Sequence, residues 1–76
     1  MSNRLAIYWF LRCQFDRDGN RWFSVKELSG VIGLSIDRTR KHLSLLAINQ
    51  DIETKIDGWK NVYRYKTLAS VTYITN

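Results

Sequence analysis

Apolar positions recur at helical spacing through the first fifty residues and alternate thereafter. Residues 3–15 have the length and composition of a helix, with Ser2 or Asn3 available as its N-cap. Its segment Leu5-Ala6-Ile7-Tyr8-Trp9-Phe10-Leu11 is apolar on every face, and such a helix must be covered on every face. Asp16-Arg17-Asp18-Gly19-Asn20-Arg21 is the longest polar stretch and reads as a loop. Trp22-Phe23 fits a brief extended piece. Ser24-Val25-Lys26-Glu27 then has capping-box spacing: the Ser hydroxyl accepts an orphan backbone N–H and the Glu carboxylate reciprocates. A short helix follows, expected to turn Val25, Leu28, Val31 and Ile32 inward. Gly33 stops it, because glycine tolerates the left-handed conformation found just past a helix end. Ser35 caps a third helix over about 36–48. Thr39, Leu43 and Leu46 form its inward stripe, with Ile36 and Leu45 near the edges.

From residue 51 the period becomes two. Ile52, Thr54 and Ile56 alternate with Glu53 and Lys55, Asp57-Gly58 signals a two-residue hairpin turn, and residues 60–66 return. If Asp57 and Gly58 are the two turn residues, Ile56 faces Trp59, Lys55 faces Lys60 and Asp51 faces Arg64. Facing lysines repel mildly, and a phosphate between them would relieve this. A longer loop through Asn61 would separate them. Trp59 would lie along a groove wall or pack over Ile56. Residues 67–76 are uncharged and rich in Thr, Val, Tyr and Ile, which suits a further extended segment.

Composition narrows the classes. At 76 residues the chain is expected to be one domain, too small for two lobes around a cleft. One Cys excludes a disulfide framework within the chain and suits a reducing, intracellular (cytoplasmic) setting, the host cell's if the protein is viral. No run reaches the ~18 apolar residues of a membrane span, and the first residues do not resemble a signal peptide. The net charge of +5 is large and unevenly placed. Residues 35–45 carry +2 and residues 55–66 carry +3, so the remainder sums to zero. An excess concentrated on the third helix and the hairpin suggests an anionic partner.

Two helices joined by a three-residue, Gly-containing turn form a helix-turn-helix, whose second helix enters a DNA major groove. Ser29 supplies the small residue where the helices cross, and Leu28, Ile32, Leu34 and Leu43 lock their angle. Asp37, Arg38, Arg40, Lys41 and Ser44 form the polar outer face of the second. At this point the chain resembles a family. Ser24-Val25-Lys26-Glu27-Leu28-Ser29, Ile32-Gly33-Leu34-Ser35 and Arg40-Lys41-His42-Leu43 resemble the winged helix-turn-helix of small ArsR- and MarR-type transcription regulators. Residues 52–58 and 62–65 resemble their wing. The resemblance implies an α+β fold: helix, short strand, helix, helix and β-hairpin wing. One domain would span 1–76, with a recognition unit at 24–48, a wing at 51–66 and a short C-terminal extension at 67–76. The chain departs from the family at Thr39, where an apolar residue is usual, and at 47–51, which lack the customary Gly after the recognition helix.

On this reading Ser35, Ile36, Asp37, Arg38, Arg40, Lys41 and Ser44 of the recognition helix contact DNA. Ile36, Asp37, Arg38 and Arg40 are favoured for base edges, where an arginine can fork onto guanine; Lys41 and Ser44 suit phosphates. Ser24 and Lys26 at the earlier cap, with Lys55, Gly58, Trp59, Lys60, Asn61 and Arg64 of the wing, would contact the backbone. Leu5, Trp9 and Cys13 of the first helix, with Val71 and Tyr73 of the extension, form the expected homodimer interface. His42 is expected to be partly buried and satisfied. Cys13 lacks ligand partners, and Ser35, His42 and Asp37 share one helix and its cap and cannot make a triad. No metal, cofactor, small-molecule substrate or enzymatic activity is therefore expected. The expected function is sequence-specific double-stranded DNA binding in transcription regulation, suited to a viral, phage or plasmid regulator or a basal archaeal factor. The alternatives are a winged-helix protein-interaction module and a nonspecific architectural nucleic-acid binder.

Overall fold

A computed structural model describes residues 2–18 and 21–66. The order is α1 (Asn3–Asp18), β1 (Phe23–Ser24), α2 (Val25–Ile32), α3 (Ile36–Ile48), β2 (Ile52–Asp57) and β3 (Lys60–Tyr65). The three strands form an antiparallel sheet in the order β1-β3-β2. The fold is small and α+β, three helices with one three-stranded antiparallel sheet. Residues 67–76, with the expected extension and the interface positions Val71 and Tyr73, lie outside the described residues. Among the described residues no helix is long and apolar enough to cross a membrane.

Local chemistry sets each boundary. The Ser2 hydroxyl accepts the Leu5 N–H at 3.2 Å and starts α1. The capping box at α2 is complete: Glu27 N–H donates to Ser24 Oγ, and Ser24 N–H donates to Glu27 Oε1, both at 3.1 Å. Gly33 ends α2 at φ +82°, its N–H donating to Ser29 O. The Ser29 hydroxyl donates to Leu34 O, tying the crossing point to the turn. Ser35 Oγ accepts the Arg38 N–H and starts α3. Beyond α3, Gln50 does what glycine usually does. It adopts φ +62°, its N–H donates to Ala47 O and the Asp51 N–H donates to Leu46 O. That bonding is a Schellman termination with a glutamine in the left-handed position.

The core joins all the layers through Ile7, Leu11, Phe23, Leu28, Leu43, Leu46, Ile52 and Tyr63. Phe10 meets Phe23 edge-on at 5.5 Å, and Tyr8 meets Tyr65 at 5.8 Å. Thr39 is fully buried on the inward stripe. Two expectations fail here. Val31 is 55% exposed rather than inward. At about 100° per residue it lies some 60° from Leu28 on the side opposite Val25 and Ile32, outside the buried stripe. His42 is half-buried, but its Nδ1 has no hydrogen-bond partner among the described residues, so it is not satisfied. The stripe beside it offers only the Thr39 hydroxyl as a polar group, and that Oγ1 is itself unpartnered.

The hairpin register also differs from expectation. Asp57 pairs with Lys60, Ile56 with Asn61, Lys55 with Val62 and Glu53 with Arg64. The turn residues are therefore Gly58 and Trp59, and no lysines face each other. An Asp57-Gly58 type I′ turn needs positive φ at both central residues. Only Gly58 takes it here, at +68°, which suits the turn with glycine in the first central position.

Candidate functional site

The start of α3 and the returning strand of the hairpin enclose an open groove of about 420 Å³. Ile36 and Arg40 line it from α3, Lys26 and Ser24 from the start of α2, and Trp59, Lys60 and Asn61 from the hairpin. Seven residues singled out in the sequence thus meet in one place although they span positions 24 to 61. Helical geometry explains α3's share, since Ile36, Arg40 and Ser44 recur every fourth residue and form one row. Asp37 and Lys41 form the next row, exposed beside it. Arg40 Nη1 lies 3.1 Å from Asp37 Oδ1 in an exposed ion pair. Such a pair is worth at most about 1 kcal/mol and opens readily. Ser35 caps α3 and leaves the Ile36 and Asp37 backbone N–H groups without intrahelical acceptors.

Other candidates lie elsewhere. Arg38 is exposed, but about 160° around α3 from Arg40, on the far flank. Lys55 and Arg64 project from the sheet face opposite Tyr63. There they bracket Trp22, with Lys55 Nζ 4.5 Å and Arg64 Cζ 4.3 Å from its ring centre. Arg64 also bonds Glu53 at 2.8 Å in a half-buried pair. These two cations stand in a cation–π cluster rather than at the groove. Ser24 borders the groove but is buried and committed to the capping box. The Glu27 carboxylate occupies that helix start and holds Arg21 at 2.7 Å, so α2's N-terminus already has its anion. Gly58 sits at the hairpin apex. Trp59 does not pack over Ile56: its side chain is fully exposed, and Ile56 is 75% exposed.

Tyr63 and Val25 also line the groove and were not singled out as site residues. Tyr63 was legible in principle, because period two puts it on one sheet face with Asn61 and Tyr65. In the sequence Trp22 looks like extended chain alone, and nothing local reveals its two cations.

Away from the groove lining, α1 exposes Leu5, Trp9 and Cys13. Arg12 lies over the Trp9 ring at 5.0 Å, and Tyr8 meets that ring edge-on. Burial, reinforced by a hydrogen bond with Tyr65, pushes the Tyr8 phenol above its ordinary pKa. Beside these residues Leu5, Tyr8, Leu46 and Asp51 line a shallow apolar hollow of about 410 Å³. Among the described residues no group of three or more His, Cys, Asp or Glu is placed to hold a metal ion.

The chain matches no family model, no curated protein and no solved structure.

Proposed function

We propose that this chain is a sequence-specific double-stranded DNA-binding protein of winged helix-turn-helix architecture that regulates transcription as a homodimer. One observation carries the reading. Basic residues from three separate elements, Lys26, Arg40 and Lys60, border one open groove together with Ile36 and Asn61, Lys60 from the sheet face opposite Asn61 and Tyr63. A solvated charged face needs no such convergence. In this reading α3 enters the major groove, where Arg40 reads a guanine edge and Ile36 meets a thymine methyl. Lys60 and Asn61 of the hairpin, the wing, contact the adjacent backbone, and Lys41 and Ser44 contact phosphates along the groove wall. Bound protein acts by occupancy, blocking or recruiting other factors.

The homodimer rests on α1. Leu5 and Trp9 are 43% and 41% exposed, and Cys13 is exposed one turn on, while Ile7 and Leu11 of the same helix are buried. A second copy related by a two-fold axis would cover them, and the two recognition helices would then match half-sites about 34 Å apart or a multiple of it.

The test is a titration of random and selected duplexes at several salt concentrations. The expected result is a log–log slope of about −0.9 per phosphate contacted, with the selected duplex bound at least ~1000-fold more tightly. A slope near zero points instead to a protein-interaction module. A steep slope with no sequence preference points to a nonspecific architectural binder.

A further inference from the structure

The three tryptophans are treated differently by the fold. Trp9 carries Arg12 over its ring and Tyr8 at its edge, and Trp22 is bracketed by Lys55 and Arg64. Trp59 has no ring or cation partner among the described residues and is 103% exposed. Its placement follows from the observed register. With Asp57 paired to Lys60, Trp59 leaves the strand and becomes the second central residue of the turn. Gly58 at φ +68° makes that turn a tight two-residue link, and the indole it carries stands clear of the sheet. Ile56, one step below, is exposed as well. The apex is thus an apolar, planar point at the rim of the groove that holds Arg40 and Lys60.

We infer that Trp59 is a wedge that enters the base stack of duplex DNA at the wing tip, partly unstacking one base step and bending the duplex there. The inference rests on the duplex-binding reading above and adds what the tip does on the DNA. The groove's cations select the partner: Lys26 and Arg40 border it, and Lys60 stands beside the tip opposite Asp57, a net positive rim that favours a polyanion. An indole face stacks on any base, so the contact adds affinity without adding sequence preference. Apolar side chains driven between base steps kink DNA and let it wrap more protein surface.

The experiment places 2-aminopurine at each position of a bound duplex in turn and measures its fluorescence, with energy transfer between dyes at the duplex ends reporting the bend. The full chain is expected to brighten 2-aminopurine at one step per wing and to shorten the end-to-end distance. Trp59→Ala is expected to abolish both signals and weaken binding about tenfold or more while leaving the salt slope unchanged. Trp59→Phe is expected to restore part of each. Duplex binding with steep salt dependence, but with no 2-aminopurine change at any position, overturns the wedge and leaves the duplex reading standing. Equal affinity of Trp59→Ala and the parent overturns it too. A salt-independent parent fails the duplex reading itself, and the wedge with it. If Trp59→Ala instead turns a dimer into a monomer in sedimentation, the tip is a self-association contact and the wedge is wrong.

Discussion

Thr39 is fully buried with its hydroxyl unpartnered, as is Nδ1 of the half-buried His42 three residues on. A buried hydroxyl without a partner pays its desolvation cost in full. Thr39→Val keeps the shape and removes the polar atom, so it is expected to stabilise the fold by about 1–2 kcal/mol. Thermal unfolding would show this as a midpoint several degrees higher; a lower midpoint would mean the hydroxyl has a partner after all. Arg40 and Lys60 separate in the opposite way. Both border the groove; in the proposed complex Arg40 reaches base edges from α3 and Lys60 meets the DNA backbone from β3. Arg40→Ala is expected to narrow the gap between selected and random duplexes by about 1–3 kcal/mol. Lys60→Ala is expected to weaken every duplex alike and to reduce the salt slope by about one contact. Two variants with the same profile would show that these roles are wrongly divided. The pairing of Arg40 with Asp37 does not prevent base contact, because an ion pair this exposed exchanges partners at little cost.

Among the elements, the limits of α2 and the start of α3 were the most legible features, whereas α1 runs to Asp18, three residues past its expected end and into the stretch expected to be a loop. Ser24 with Glu27, Gly33 and Ser35 each act within three or four residues, and each sits where the sequence placed it. The hairpin was legible as an element but not in its register. Asp57-Gly58 serves equally as the two central residues or as the first and second of four, and only the backbone's choice of positive φ at Gly58 alone separates these. That choice moves every cross-strand partner by two positions: it dissolves the expected lysine pair and sends Trp59 to the apex. Of the candidate site, the α3 residues were legible through helical spacing. The Trp22 cluster was not, because it depends on how the short strand β1 lies beside β3. The end of α3 carries a testable cost. Gln50 holds a left-handed conformation that favours glycine, and its Schellman bonds are otherwise intact. Gln50→Gly is expected to raise stability by about 0.5–1 kcal/mol, read in denaturant or thermal unfolding. An unchanged or lower stability would mean that the Gln50 side chain, which accepts from Lys66 Nζ at 3.4 Å, offsets the strain.

For the whole molecule, the exposed α1 residues Leu5 and Trp9 are not among those lining the groove, so binding and assembly are separable by mutation. In the proposed dimer Trp9→Glu places a charge in the interface while leaving the core of Ile7, Leu11 and Leu28 intact. The parent is expected to sediment as a dimer at micromolar concentration and the variant as a monomer with an unchanged circular dichroism spectrum. Its loss of affinity should be confined to palindromic duplexes, with half-site duplexes bound as before. A monomeric parent would remove the two-fold model.

Ser24 belongs to two elements at once. It is the last residue of β1, paired with Val62 of β3, and it is the N-cap of α2. No loop separates strand from helix, so no joint exists there at which the hairpin could swing independently of the helix pair. The molecule then behaves like a caliper with fixed jaws: the gap between α3 and the hairpin tip is set in folding, before any encounter. Protection of the Glu27 and Tyr63 amides against hydrogen exchange should accordingly rise and fall together, Tyr63 being the β3 residue paired with Phe23 of β1. Whatever enters that gap must conform to it, and in a DNA complex most of the bending would be done by the DNA.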